Sequence, residues 1–232
     1  MISSPTSKSP RLIAIGDVHG CALTLKQLLF GQIHVRAGDE IIFLGDLIDR
    51  GPDTKGVLDE ILLLKNRDVK IRILRGNHEE IMLSAFESNQ QHEYWKRVGG
   101  MEVLESFGVD SIMDIPDEYI ELIDSSMNII FVDDWIFVHA GLNFELINPF
   151  SDEHAMRWIR KMPANPPFLG NRKLIHGHTP EPYEKIIYQK GPVINLDAGC
   201  VFTEREGLGR LAALELHSMQ FYSELNCEDF RH

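Results

Sequence analysis

Apolar positions along the chain fall into short runs, most of which end abruptly in polar loops. RLIAI passes into GDVHG, EIIFL into GDLIDRG, VKIRIL into RGNHEE, WIFV into HAGL, KLI into HGHTP and VINL into DAG. Short runs of three to six residues rich in Ile, Val and Phe and bounded by glycine predict buried strands. In VKIRIL, Val69, Ile71 and Ile73 share one predicted face, and Lys70 and Arg72 the other. Between the early strands, CALTLKQLLF and TKGVLDEILLLKNR read as helices, the second with Val57, Leu58, Ile61 and Leu62 at helical spacing.

Strand, helix, strand order predicts an α/β fold. In such folds the loops at the carboxyl ends of neighbouring strands open onto one crevice, which makes the polar strand ends one candidate site. Residues 81–128 break the rhythm: ESNQQHEYWKRV and IPDEYIELIDSS are polar and helix-like, without glycine at a strand end, and are expected to form an inserted helical cap. After Asp197, GLGRLAALELHSMQFY predicts one or two closing strands. The expected organisation is a single domain over residues 1–232, with residues 1–10 as a flexible tail.

Composition narrows the function classes. With 44% hydrophobic and 25% charged residues the chain reads as an ordinary soluble globular protein. A net charge of -12 argues against a nucleic-acid surface, which gains affinity by neutralising phosphates with Lys and Arg. It leaves room for a small phosphoester, because bound cations can make one cleft positive inside an acidic protein. The three cysteines, Cys21, Cys200 and Cys227, match neither a disulfide framework nor a zinc ribbon, and point to a reducing, cytoplasmic setting. No run approaches the ~20 apolar residues of a membrane span, so no membrane partner is expected.

The strand-end loops carry Asp17, His19, Asp46, Asn77, His139 and His178. Carboxylate and amide oxygens mixed with imidazoles suit Mn²⁺, Fe or Zn²⁺ better than Ca²⁺. Singly, such residues are more often structural than ligating. Their repetition after strand upon strand is what core packing does not explain.

GDVHG, GDLIDRG, LRGNHE, HAGL and GHT, in this order, resemble the bacterial and phage branch of the phosphoprotein phosphatases, within the calcineurin-like metallophosphoesterases. The resemblance runs from about Arg11 to Leu214, and YWKRVGGMEVLESFG is similar to that branch's tryptophan and Gly-Gly pattern, with Phe107 in place of the usual tyrosine. It implies a four-layer αββα sandwich with a dinuclear centre at the strand ends. Asp17, His19 and Asp46 would hold one ion, Asp46 would bridge, and Asn77, His139 and His178 would complete the second site. His176 would be a supporting residue. Two divalent ions, most simply Mn²⁺, would supply a bridging hydroxide for in-line attack on phosphorus.

On the same resemblance, Arg50 and Arg75 would grip the phosphoryl oxygens. His78 would protonate the leaving group and Asp49 would orient it. A third phosphate-binding arginine is expected at Arg160, with Arg157 the competitor. Glu79 and Glu80 are expected to be a solvated helix start. The implied activity is that of a serine/threonine protein phosphatase acting on a phosphoprotein or small phosphoester. A dinucleoside tetraphosphate hydrolase is the nearest alternative, and a non-catalytic phosphopeptide-binding module a more remote one.

Overall fold

The computed structural model describes residues 10–230; of the tail expected at residues 1–10, all but the last residue lie outside the described residues. The strands are β1 (Leu12–Ile15), β2 (Glu40–Phe43), β3 (Lys70–Ile73), β4 (Ile129–Val132), β5 (Trp135–Val138), β6 (Lys173–His176), β7 (Val193–Asn195), β8 (Arg210–Glu215) and β9 (Gln220–Leu225). They form two sheets, one ordered β3-β2-β1-β8-β9 and the other β4-β5-β6-β7. β1, β2 and β3 are parallel, as are β5, β6 and β7. The two predicted closing strands are β8 and β9, which join the first sheet antiparallel beside β1.

Both faces of the central strands are buried, which explains why their sequences read as continuous apolar runs. Leu12, Ala14, Ile42 and Leu44 point into a cluster shared with Phe137, Ile175 and Ile194, so the two sheets pack against each other there. Ile13, Ile15, Ile41 and Phe43, on the opposite face, pack under helices. On the outer face of the second sheet, Ile136, Val138 and Leu174 meet Leu142, Met156 and Leu169. Edge strand β3 keeps its polar face by pairing: Glu40 accepts from Lys70 Nζ at 3.1 Å and Arg72 Nε at 2.7 Å.

Helix α1 (Ala22–Lys26) follows the first polar loop, and α2 (Thr54–Lys65) starts at Asp53, whose carboxylate accepts from Gly56 N at 2.7 Å. Cys21 gives α1 no side-chain cap; Glu228, from the far end of the chain, accepts from Thr24 N at 2.8 Å instead. Helices α3 (Asn77–Ser84), α4 (Asn89–Trp95), α5 (Met101–Phe107) and α6 (Asp117–Asp124) fill most of residues 77–124. Trp95, Leu104, Tyr119 and Ile123 from this segment belong to the same apolar cluster as β1, β2 and α2. Two short helices, α7 (Glu153–Trp158) and α8 (Tyr183–Tyr188), accompany the second sheet. Among the described residues no helix is long and apolar enough to cross a membrane.

Candidate metal centre

Parallel strands in both sheets bring six loops to one end of the molecule. There a cleft of about 320 Å³ is lined by Asp17, His19, Asp46, Asn77 and His178, together with Arg50 and Arg160. His139 stands behind it, fully buried.

Backbone acceptors set the imidazoles. His19 Nδ1 donates to Ile48 O at 3.0 Å and His139 Nδ1 to Leu44 O at 2.8 Å, which leaves each Nε2 with its lone pair. His139 Nε2 then lies 3.1 Å from Asn77 Oδ1, 3.2 Å from His178 Nδ1 and 3.4 Å from Asp46 Oδ1. The other carboxylate oxygen of Asp46, Oδ2, is 3.5 Å from His19 Nε2. Asp17 is held by the His178 N–H, at 3.0 and 3.3 Å from its two oxygens.

Glycine beside the ligands has a steric cause. A Cβ on Gly177 would stand 2.0 Å from Asp17 Oδ1, and one on Gly76 would stand 2.2 Å from Asp46 Oδ1. His19, Asp46, Asp49, Arg50 and His178 all adopt positive φ, between 47° and 70°. Each such residue costs about 1–3 kcal/mol and persists only where its surroundings over-determine it.

The electrostatics are those of a site short of positive charge. Burial, then Asp197 and Asp46, raises the Asp17 carboxyl well above its ordinary range. Burial likewise pushes Asp197 up to about 7. Burial lowers His19 and His139, and takes His178 down to about 3, with His139 adding to the effect. Imidazole nitrogens, an amide oxygen and carboxylates thus converge in a buried site that disfavours their charged forms, an arrangement that a bound cation would satisfy. The donor set fits two divalent ions: Asp46, His139 and His178 bring ligand atoms within 4.8 Å of one another, and Asp46 also stands within that distance of His19 and His78.

His78 Nδ1 lies 2.6 Å from Asp49 Oδ2, and its ring is 4.8 Å from that of His19. Its Nε2 is buried without a hydrogen-bond partner. Arg50 reaches the cleft, with Nη1 2.9 Å from His19 Nε2. Arg160 also lines it, whereas Arg157 turns away to Glu80 at 2.8 Å and Asn128 at 2.6 Å. Arg75 is not among the lining residues: its guanidinium donates to Asp124 O at 2.5 Å and Ser126 Oγ at 3.1 Å, at the carbonyl-rich end of α6. His176 is buried with Nδ1 3.0 Å from Gly177 O, outside the ligand set.

Glu79 differs from the solvated residue expected from the sequence. It is fully buried and accepts from Asp46 N at 2.8 Å, Leu47 N at 2.7 Å and Gly76 N at 2.8 Å. Burial and the nearby Asp46 push it up to about 7. Glu80 is also engaged, taking Trp158 Nε1 at 2.5 Å as well as Arg157. Four residues that line the cleft were not expected there from the sequence: Pro180, Asp197, Phe202 and Arg205. The DAG after VINL repeats the strand-end signature and was the available signal for Asp197. Phe202 stacks between Arg50 and Arg205, 5.4 and 4.3 Å from ring centroid to guanidinium carbon, which no local pattern reveals.

Residues 10–206 match the calcineurin-like phosphoesterase family. Along 93% of its length the chain is similar to an asymmetrical bis(5'-nucleosyl)-tetraphosphatase of Oceanobacillus iheyensis, 25% identical over 241 residues and covering 92% of that protein. A stretch of 86 residues, 37% of each chain, is 37% identical to serine/threonine-protein phosphatase 1 of Salmonella typhimurium. The fold also matches a solved serine/threonine phosphatase of Saccharomyces cerevisiae, with a TM-score of 0.65 at 15% identity over 97% of this chain and 82% of that one. The family match spans most of the chain and the metal-binding donors gather at its strand ends: the chain belongs to the calcineurin-like phosphoesterases and is a hydrolytic enzyme.

Proposed function

We propose that this enzyme hydrolyses phosphoesters and phosphoanhydrides with a pair of divalent cations held by Asp17, His19, Asp46, Asn77, His139 and His178. The observation that carries the reading is the meeting of His139 Nε2, His178 Nδ1, Asn77 Oδ1 and Asp46 Oδ1 within 3.1–3.4 Å of His139 Nε2. When bound, the cations supply Lewis acidity toward phosphoryl oxygens and acidify water. The ligand mix favours Mn²⁺.

The protein's own groups do the rest. Arg50 and Arg160 face the cleft and hold the nonbridging oxygens, and Arg205 extends the same positive wall. Burial opposes a charged His78, but the field of Asp46 and the hydrogen bond that the ring donates to Asp49 outweigh it and raise its pKa. In its charged form the ring carries a proton on Nε2 to give to the departing oxygen as its bond to phosphorus breaks. Arg75, bonded to Asp124, stands as a support for α6 in this arrangement.

For substrate we place dinucleoside tetraphosphates first, on the near full-length similarity to a tetraphosphatase. Phosphoserine and phosphothreonine proteins are the second reading, favoured by the 37% identity to a protein phosphatase over 86 residues. The three cysteines, all free, support a reducing cytoplasm as its place of action. Parallel assays of the Mn²⁺-loaded protein with diadenosine tetraphosphate, a phosphothreonine peptide and p-nitrophenyl phosphate test the proposal. Hydrolysis that a chelator abolishes and Mn²⁺ restores is expected, with the tetraphosphate preferred. No metal-dependent turnover of any of the three would overturn the reading, and a preference for the peptide would reverse the order.

A further inference from the structure

The segment that follows β6 is a wall between two cavities. His178 and Pro180 line the metal cleft, while His176 and Thr179 line a neighbouring cavity of about 600 Å³. Arg160 lines both, so the two communicate at a guanidinium.

The second cavity is positive inside an acidic protein. Arg160, Lys161, Lys185 and Lys190 line it against the single acid Glu181, in a chain of net charge -12. Glu181 is taken up by Lys185 at 3.0 Å, and among the described residues Arg160, Lys161 and Lys190 have no acidic partner. The Gln189 side chain donates to Asn195 O at 2.8 Å and accepts from Asn195 N at 2.9 Å, and the Asn195 side chain donates to Thr179 O at 2.7 Å and accepts from Asp197 N at 2.9 Å, so both are taken up within the wall. Met162, Ile186 and Val193 add apolar surface to the same lining. Cations, apolar side chains and a volume in the usual range of small-molecule sites describe a pocket for an anion with a flat or apolar end.

We infer that this cavity receives the far limb of a phosphoanhydride substrate. Phosphates beyond the one attacked run along Arg160, Lys161 and Lys190, and the attached nucleoside lies against Met162, Ile186 and Val193. The inference rests on the phosphoesterase reading of the neighbouring cleft. It adds the feature by which a long, highly charged substrate is told from a short phosphomonoester.

The test is the double variant Lys161→Ala/Lys190→Ala; both side chains are exposed, so the fold is not at stake. With Mn²⁺ present, the ratio of kcat/KM for diadenosine tetraphosphate to that for p-nitrophenyl phosphate is expected to fall about tenfold or more, chiefly through KM, and KM should lose part of its salt dependence. An unchanged ratio overturns the inference and leaves the phosphoesterase reading standing. A loss confined to phosphopeptide turnover also overturns it. Calorimetric titration with adenosine 5'-tetraphosphate serves as a readout that needs no turnover. Binding weakened about tenfold in the variant supports the site, and equal affinity refutes it, even if the wild-type protein hydrolyses nothing.

Discussion

His78 Nδ1 lies 2.6 Å from Asp49 Oδ2, with both side chains almost entirely buried, and Asp49 Oδ1 takes a second hydrogen bond from Trp95 Nε1 at 3.0 Å. The pair joins a strand-end loop to the start of α3 and leaves the other imidazole nitrogen buried without a protein partner among the described residues. Replacing His78 with Asn is expected to slow turnover of poor leaving groups by about 10²–10⁴, much less for p-nitrophenyl phosphate, while Mn²⁺ binding persists. Steady-state kinetics over phenyl phosphates of graded leaving-group acidity check it. A uniform loss across the series would remove His78 from proton transfer.

Trp95 ties the helical segment to the chemistry. Its ring is buried in the main core and packs so closely on Gly100 that a Cβ there would stand 2.4 Å from it. Trp95→Phe keeps most of the packing but leaves a buried oxygen of Asp49 without its donor. A stability loss of about 1–3 kcal/mol is expected from that unmet bond, together with a drop in kcat. Urea denaturation and activity measured on the same sample decide the matter; full activity would show that Asp49 does not depend on this anchor.

Glu79 gathers the backbone of two loops, with Asp46, Leu47 and Gly76 all donating to its carboxylate. In Glu79→Gln an amide N–H₂ must face one of those N–H donors. The variant should lose about 1–3 kcal/mol of stability and about tenfold or more in Mn²⁺ affinity through the displaced Asp46. Calorimetric titration with Mn²⁺ reads the second effect directly. Wild-type affinity in the variant would reduce Glu79 to a purely structural residue.

Asp39 offers a pH test away from the cleft. It is buried and accepts from Arg11 Nη2 at 2.5 Å, Arg11 Nε at 3.1 Å and Arg36 N at 3.0 Å. Burial pushes its pKa upward, and these donors more than offset that, holding it below the usual carboxylate range. A depressed folded-state pKa stabilises the fold above the unfolded value of about 4, and the contribution is lost as pH falls through the folded value. Asp39→Asn should therefore cost about 1.5–3 kcal/mol at neutral pH, with the gap from wild type narrowing as pH drops below about 4. A gap that stays constant down to the acid transition would contradict this assignment.

How far the sequence led depended on the range of the interaction. Strands β1, β2, β5, β6 and β7 were legible because a parallel strand buried on both faces must be apolar throughout, and the polar loop after each stood out against it. Glycines next to the ligands were visible for a related reason: carboxylates of Asp17 and Asp46 press on Gly177 and Gly76, where no side chain fits. Directions of long side chains were not legible. Arg75 and Arg160 were both expected at the phosphoryl group, yet Arg75 turns to Asp124, 49 residues away, while Arg160 lines the cleft. Glu79 resembled an ordinary acidic helix start because its partners, Asp46 and Leu47, arrive from 33 and 32 residues earlier. Two residues before Phe202, Cys200 O accepts from Asn226 Nδ2 at 2.8 Å, a contact 26 residues away that no local pattern reveals.

The central claim is that the six strand-end side chains form one cradle for two cations, with Asp46 common to both. Anomalous diffraction from a crystal grown with Mn²⁺ measures this most directly. Two peaks are expected ~3.5–4 Å apart, with Asp46 touching both and His139 and His178 touching only one. A single peak, or a pair with Asp46 remote from either, would contradict the account.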